Sequence, residues 1–196
     1  VKLIVGLGNP GKDYERTRHN VGFELIDALA AAHGASVSLR RQRALTGRVV
    51  IAGTSVVLAK PMTFMNLSGD AVALLLAREA IGPADLLVVT DDIHLPPGRI
   101  RLRAQGSSGG QNGLKHIAQT LGTDAFARLR IGVGEPPPGR QIDWVLSRFT
   151  PDDRARVDDA LILAQGAVAV FVADGIEAAM NRFNGTVVVE RASPER

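Results

Sequence analysis

The chain has 196 residues, 45% hydrophobic and 22% charged, with no cysteine and a formal charge of +3. One domain with a real core is expected; a disordered chain, a disulfide scaffold, a zinc ribbon and thiol catalysis are excluded. No apolar run approaches the roughly 20 residues that cross a bilayer, and the strand-like opening Val1-Lys2-Leu3-Ile4-Val5 leaves no room for a signal peptide, so the reading is a soluble, cytoplasmic protein.

Strand and helix patterns alternate along the chain. Residues 2–7 read as a strand apolar enough to be buried on both faces, followed by a Gly/Pro/charge-rich loop over 8–19. Val21, Leu25, Ile26 and Leu29 have helical spacing, with Gly34 as the stop. Two strands, 47–52 and 55–60, flank the turn Ala52-Gly53-Thr54, and a helix is predicted from near Ser68 to Ala80. Residues 86–90 read as an apolar strand ended by Asp91-Asp92. Residues 99–103 alternate charge and aliphatic, the period of a half-exposed strand. A Gly/Ser loop leads to a helix near 114–121 and a strand over 128–133. Thr150-Pro151-Asp152-Asp153 is a helix start: a cap, a first-turn proline, and acids at the positive end. That helix is expected to break near Asp174-Gly175. The pattern predicts a single α/β domain over 1–185, a mixed twisted sheet flanked by helices, with a tail over 186–196.

Three loops carry motif-like spacing. Gly6-Leu7-Gly8-Asn9-Pro10-Gly11 fits G-x-G-x-x-G after the first strand, where a dinucleotide fingerprint would sit. No helix opens at Gly11, Pro10 removes a backbone N–H, and Arg40, Arg41 and Arg43 stand where an NAD site wants an acid. Gly106-Ser107-Ser108-Gly109-Gly110 fits G-x-S-x-G, but only His116 follows Ser108, with no acid between them, so a hydrolase triad cannot be assembled. The third loop, Lys60 to Gly69, places Phe64, Met65 and Asn66 after a strand, where function concentrates; Asn66 or Ser68 as a plain helix cap is the bland reading.

Among the four histidines, His19 lies in the polar loop above the first strand, next to a helix start. Alone it would read as a solvated side chain, but Asp91 ends a buried strand from which it can orient an imidazole. Asn9, Asn66 and Asn112 supply uncharged amides from neighbouring loops. One His, one Asp and three Asn on strand-end loops make a hydrolytic site without a protein nucleophile.

On these stretches the sequence resembles the bacterial peptidyl-tRNA hydrolase family: residues 3–11, Tyr14 with Thr17-Arg18-His19-Asn20, residues 61–69, Asp91-Asp92-Ile93-His94-Leu95-Pro96-Pro97-Gly98, residues 109–115, and Arg128-Leu129-Arg130-Ile131-Gly132. The resemblance implies cleavage of the ester between a peptide and the 3′-terminal ribose of tRNA. It implies His19 as general base, Asp91 holding it in its basic form, and Asn9 discriminating peptidyl from free aminoacyl esters. Tyr14, Phe64, Met65, Asn66 and Asn112 would line the site for the peptide and the tRNA 3′ end, without metal or cofactor. Two positions depart from the family pattern: His94 stands where a second acid of the Asp-rich turn is expected, and Gln111 where some members carry histidine before Asn112. Both are expected behind the site or toward the tRNA.

An imidazole titrates near working pH, which makes His19 the base candidate, with Asp91 fixing its tautomer. Asn66 or Asn112 is the oxyanion donor, and the sequence leaves that choice open. The substrate would be held by a basic face. From Gly98 to Ile131 six bases oppose one acid, Asp124, a local +5, whereas 151–182 has three bases and six acids, −3. Arg101 and Arg103 project from one strand face with Arg99; Arg128 and Arg130 repeat the arrangement, and Lys115 follows the Asn112 loop. An edge strand charged against aggregation is the alternative. A nucleotide-dependent oxidoreductase and a non-catalytic RNA-binding module are the competing function classes. A monomer is expected.

Overall fold

A computed structural model describes residues 1–185; the expected tail, 186–196, lies outside them. The strands are β1 (Lys2–Gly6), β2 (Leu39–Arg41), β3 (Ala44–Ile51), β4 (Thr54–Pro61), β5 (Leu86–Asp92), β6 (Ile100–Arg103) and β7 (Ala127–Gly132). They form one mixed sheet of order β2-β3-β4-β1-β5-β7-β6. The four central strands are parallel, while β2, β3 and β6 run antiparallel to their neighbours at the two edges. The helices are α1 (Val21–Ala32), α2 (Ser68–Glu79), α3 (Asn112–Leu121), α4 (Gln141–Val145), α5 (Pro151–Asp174) and α6 (Ile176–Phe183).

The continuous apolar runs of β1 and β5 follow from cover on both faces. Ile4, Leu87 and Val89 pack with Leu25 and Ile26 of α1 and Val168 of α5. Leu3, Val5 and Val88 point the other way, onto Val72 and Leu75 of α2 and Leu114 and Ile117 of α3. The edge strand β6 alternates as its sequence predicts, with Ile100 and Leu102 buried and Arg101 and Arg103 exposed.

Differences from the sequence reading have local causes. β2 is three residues long and wholly exposed, so it carries no alternation to read. α3 begins at Asn112 rather than Leu114, because the Gln111 side chain accepts the Leu114 N–H at 2.8 Å and caps the helix there. β5 continues through Asp91 and Asp92, so both acids belong to a buried strand rather than to a turn. The helix start at Thr150 is as expected: its Oγ1 accepts from the Asp153 N–H, and the helix ends before Gly175 at φ 91°.

The glycine-rich turn after β1 serves helix packing. A Cβ on Gly6 would stand 2.1 Å from the Gly22 carbonyl oxygen, and one on Gly22 2.6 Å from the Leu7 nitrogen. These two glycines let α1 lie directly against the tip of β1. The chain reverses direction across the sheet at β1, moving to β4 on one side and then to β5 on the other. The loops beyond the C-terminal ends of these parallel strands meet at that switch point, where α/β sheets place their ligands.

Candidate active site

Four segments bring their polar side chains to this end of the sheet: the loop after β1, the turn leading into α1, the end of β5 and the start of α3. His19 sits in a 3₁₀ turn, Arg18–Asn20, that runs directly into α1. Its Nδ1 is 2.7 Å from Oδ2 of Asp91, with side-chain exposures of 12% and 2%. Burial by itself would lower the imidazole pKa, but the charge of Asp91 and the hydrogen bond to it outweigh burial and hold the ring above its ordinary 6.5. The bond at Nδ1 leaves Nε2 as the nitrogen free for a proton from solvent or substrate. The other Asp91 oxygen, Oδ1, accepts from Thr90 Oγ1 and from Gln111 Nε2, each at 3.1 Å. Gln111 therefore touches the carboxylate directly, closer to the chemistry than its departure from the family pattern suggested. His94, by contrast, is exposed, and its backbone N–H donates to Asp92 Oδ1.

His19, Asp91, Gln111, Asn112 and Arg130 line one small cleft, walled on its far side by Ile142 and Val145 of α4. Asn112 is thus on the same cleft as the imidazole, while Asn66 is exposed on the adjoining loop. Asn9 is 8% exposed and locked in place. Its backbone N–H donates to Asn20 Oδ1 and its carbonyl accepts from Asn20 Nδ2, both at 2.9 Å. Its own Oδ1 accepts from the Met65 N–H at 2.8 Å, which leaves Nδ2 as the outward-facing donor. Asn20 was missed in the sequence reading, since nothing in its position announces a bond to a backbone eleven residues earlier. The same amide bridge occupies the N–H a pyrophosphate would need, so the dinucleotide reading of Gly6–Gly11 fails. Asn9 also borders a larger cavity of about 550 Å³ with Pro10, Phe23, Lys60 and Met62.

Tyr14 and Phe64, from different loops, form an edge-to-face pair with centroids 6.4 Å apart, and Phe64 is 55% exposed. Met65, between Phe64 and Asn66, is buried, and its sulfur accepts from Gln111 Nε2 at 3.2 Å. The Ser108 loop is no nucleophile elbow: Ser108 Oγ accepts from the Gly110 N–H, and His116 Nδ1 accepts from Gly69, tying α3 to α2.

The basic face divides in two. In register, Arg101 stands opposite Arg130 and Arg103 opposite Arg128. Arg101, Arg103 and Lys115 are exposed. Arg128 is not: it is 1% exposed and donates to the carbonyls of Gly106, Ser107, Asp124 and Phe126. Burial and the neighbouring Arg130 push its pKa down to about 10. The period-2 pattern gave its face correctly but not the loop that covers it. Arg130 is intermediate: it donates to Ser107 and Ser108 carbonyls, lies 3.9 Å from Asp92 and still borders the His19 cleft. Among the described residues no cluster of His, Asp or Glu is arranged to hold a metal ion.

Residues 3–192 match the sequence model of the peptidyl-tRNA hydrolase family. The chain is 53% identical to the peptidyl-tRNA hydrolase of Symbiobacterium thermophilum, over 93% of its own length and 98% of the relative's. It is 49% identical to that of Chlorobium luteolum, over 94% and 98%. Its fold superposes on the crystal structure of peptidyl-tRNA hydrolase from Acinetobacter baumannii with a TM-score of 0.90 at 36% identity, covering 95% of this chain and 96% of that one. With a His19–Asp91 hydrogen bond at the switch point of the same mixed sheet, the chain belongs to the peptidyl-tRNA hydrolase family.

Proposed function

We propose that the protein hydrolyses the ester joining a peptide to the 3′-terminal ribose of tRNA, with His19 as the general base. The observation that carries this is the 2.7 Å bond between His19 Nδ1 and Asp91, which fixes the tautomer with Nε2 facing the cleft. Nε2 takes a proton from water as the water oxygen attacks the ester carbonyl, giving a tetrahedral oxyanion and an imidazolium. Asp91 stabilises the imidazolium, and the same proton then leaves with the ribose oxygen as the C–O bond breaks. Asn112 is the better oxyanion donor, because it borders the cleft that holds His19. The oriented Nδ2 of Asn9 suits a peptide carbonyl, which a free aminoacyl ester lacks. Tyr14, Phe64, Met65 and Asn66 give that peptide and the terminal nucleotide an aromatic and amide rim. Arg101, Arg103, Lys115 and Arg130 take tRNA phosphates, since facing arginines on one sheet surface repel one another unless an anion lies over them.

Incubation of the protein with tRNA carrying an N-blocked aminoacyl group tests the reading. Release of the acyl group with the free aminoacyl ester left intact is expected. Binding of the tRNA without cleavage would make the protein an RNA-binding module instead.

A further inference from the structure

Gln111 makes three bonds with one side chain, and each constrains the next. Its Oε1 accepts the Leu114 N–H at the start of α3, at 2.8 Å. That bond decides which way the amide faces: Nε2, the donor, must be the atom turned to Asp91 Oδ1 at 3.1 Å and to the Met65 sulfur at 3.2 Å. With Thr90 Oγ1 on the same Oδ1, that oxygen holds two donors and Oδ2 is left for His19. Rotation of the carboxylate away from the imidazole would break both bonds.

We propose that Gln111 is a positioning residue for the hydrolysis, acting through Asp91: its amide locks the carboxylate toward His19 and ties it to the start of α3 and to the Met65 loop. The proposal rests on His19 being the base. The surroundings leave this task to Gln111. Within β5 itself Asp92 adds a second negative charge, and from β7 Arg130 lies 3.9 Å from Asp92 while donating to the Ser107–Ser108 loop. From the His19 turn, Arg18 points away, onto Trp144 and Phe149. Lys115 of α3 is exposed, and Met65, Gln141, Ile142 and Val145 bring no charge to the cleft. Among the described residues, Gln111 is, apart from His19 itself, the donor to Asp91 that comes from outside β5. A neutral amide does this without titrating, so the lock holds across the working pH range.

Gln111→Glu separates positioning from helix capping. It keeps an oxygen for the Leu114 N–H, where negative charge favours the helix start, but once ionised it offers Asp91 an acceptor in place of a donor. At pH 8.5 we expect kcat to fall at least about tenfold while KM stays within about twofold, as for a misplaced catalytic group, and the repulsion between the two carboxylates to lower the melting temperature. The loss should ease at lower pH, where a proton shared between the two carboxyls restores the donor. Gln111→Leu should lower kcat throughout and the melting temperature as well. Wild-type kcat for Gln111→Glu at pH 8.5 would leave Gln111 a helix cap and overturn the proposal. His19→Ala in the same assay tells the two failures apart. If it is inactive while Gln111→Glu is normal, only this proposal falls; if it is fully active, the reading of His19 falls too and takes the proposal with it.

Discussion

Burial strips water from the His19 ring, and the Asp91 carboxylate 2.7 Å from Nδ1 replaces it with a fixed charge that wins the balance. A base must be neutral to work, so kcat/KM should rise with pH through an apparent pKa above 6.5. Asp91→Asn removes the charge while burial remains. Its acid limb should move to lower pH, and kcat should fall by a factor on the order of 10²–10⁴ because the ring loses its orienting partner; a pH–rate series on both proteins checks this. The same pairing links stability to pH. The folded-state pKa of His19 lies above its unfolded value of 6.5, so the pair's contribution is complete below about 6.5 and is lost as pH rises through the folded value. Melting temperatures measured across that window should show the loss in the wild type and not in Asp91→Asn. His19 and Asp91 were legible in the sequence because one precedes a helix start and the other ends a buried apolar run. Gln111 was legible only as a polar residue ahead of a helix; its bond to Asp91 needs the start of α3 to lie beside β5, which no local pattern reports.

At the scale of elements, β6 and β7 place two facing arginine pairs on one sheet surface, and only part of that charge is available to a ligand. Arg101→Ala with Arg103→Ala should raise KM for peptidyl-tRNA and reduce the salt dependence of binding by about 0.7–0.9 in log–log slope for every phosphate left without its arginine. Turnover of a minimal substrate lacking the tRNA body should hardly change. Arg128→Ala should act differently: several loop carbonyls would be without their donor, so the protein should melt earlier, with the 106–108 segment first to exchange its amides. Alternation revealed β6 from sequence, and continuous apolar runs revealed the buried strands β1 and β5. β2 and α4 escaped because three exposed residues, and a five-residue helix with three exposed and two half-buried, carry too little periodicity.

Across the whole molecule, the site depends on how closely α1 approaches the sheet and on what holds the far wall. Gly22→Ala would bring a methyl within 2.6 Å of backbone at Leu7 and 2.7 Å of the Val89 carbonyl, neither of which can yield. A cost of about 3 kcal/mol is expected, read by urea unfolding, with His19 displaced because its turn feeds α1. On the other side Arg18 is 2% exposed, lies 3.7 Å over Trp144, and donates to the Val133 carbonyl and Ser147 Oγ, fastening α4 beside the cleft. The G-x-G-x-x-G spacing, which in isolation suggests a nucleotide, is thus explained by packing, and the function lies in side chains that the packing brings together. Single-turnover hydrolysis of peptidyl-tRNA by His19→Ala, with enzyme in excess and at saturating concentration, tests that account most directly because it separates chemistry from binding. A rate lowered by at least about 10² with tRNA affinity retained is the predicted result; a wild-type rate would contradict it.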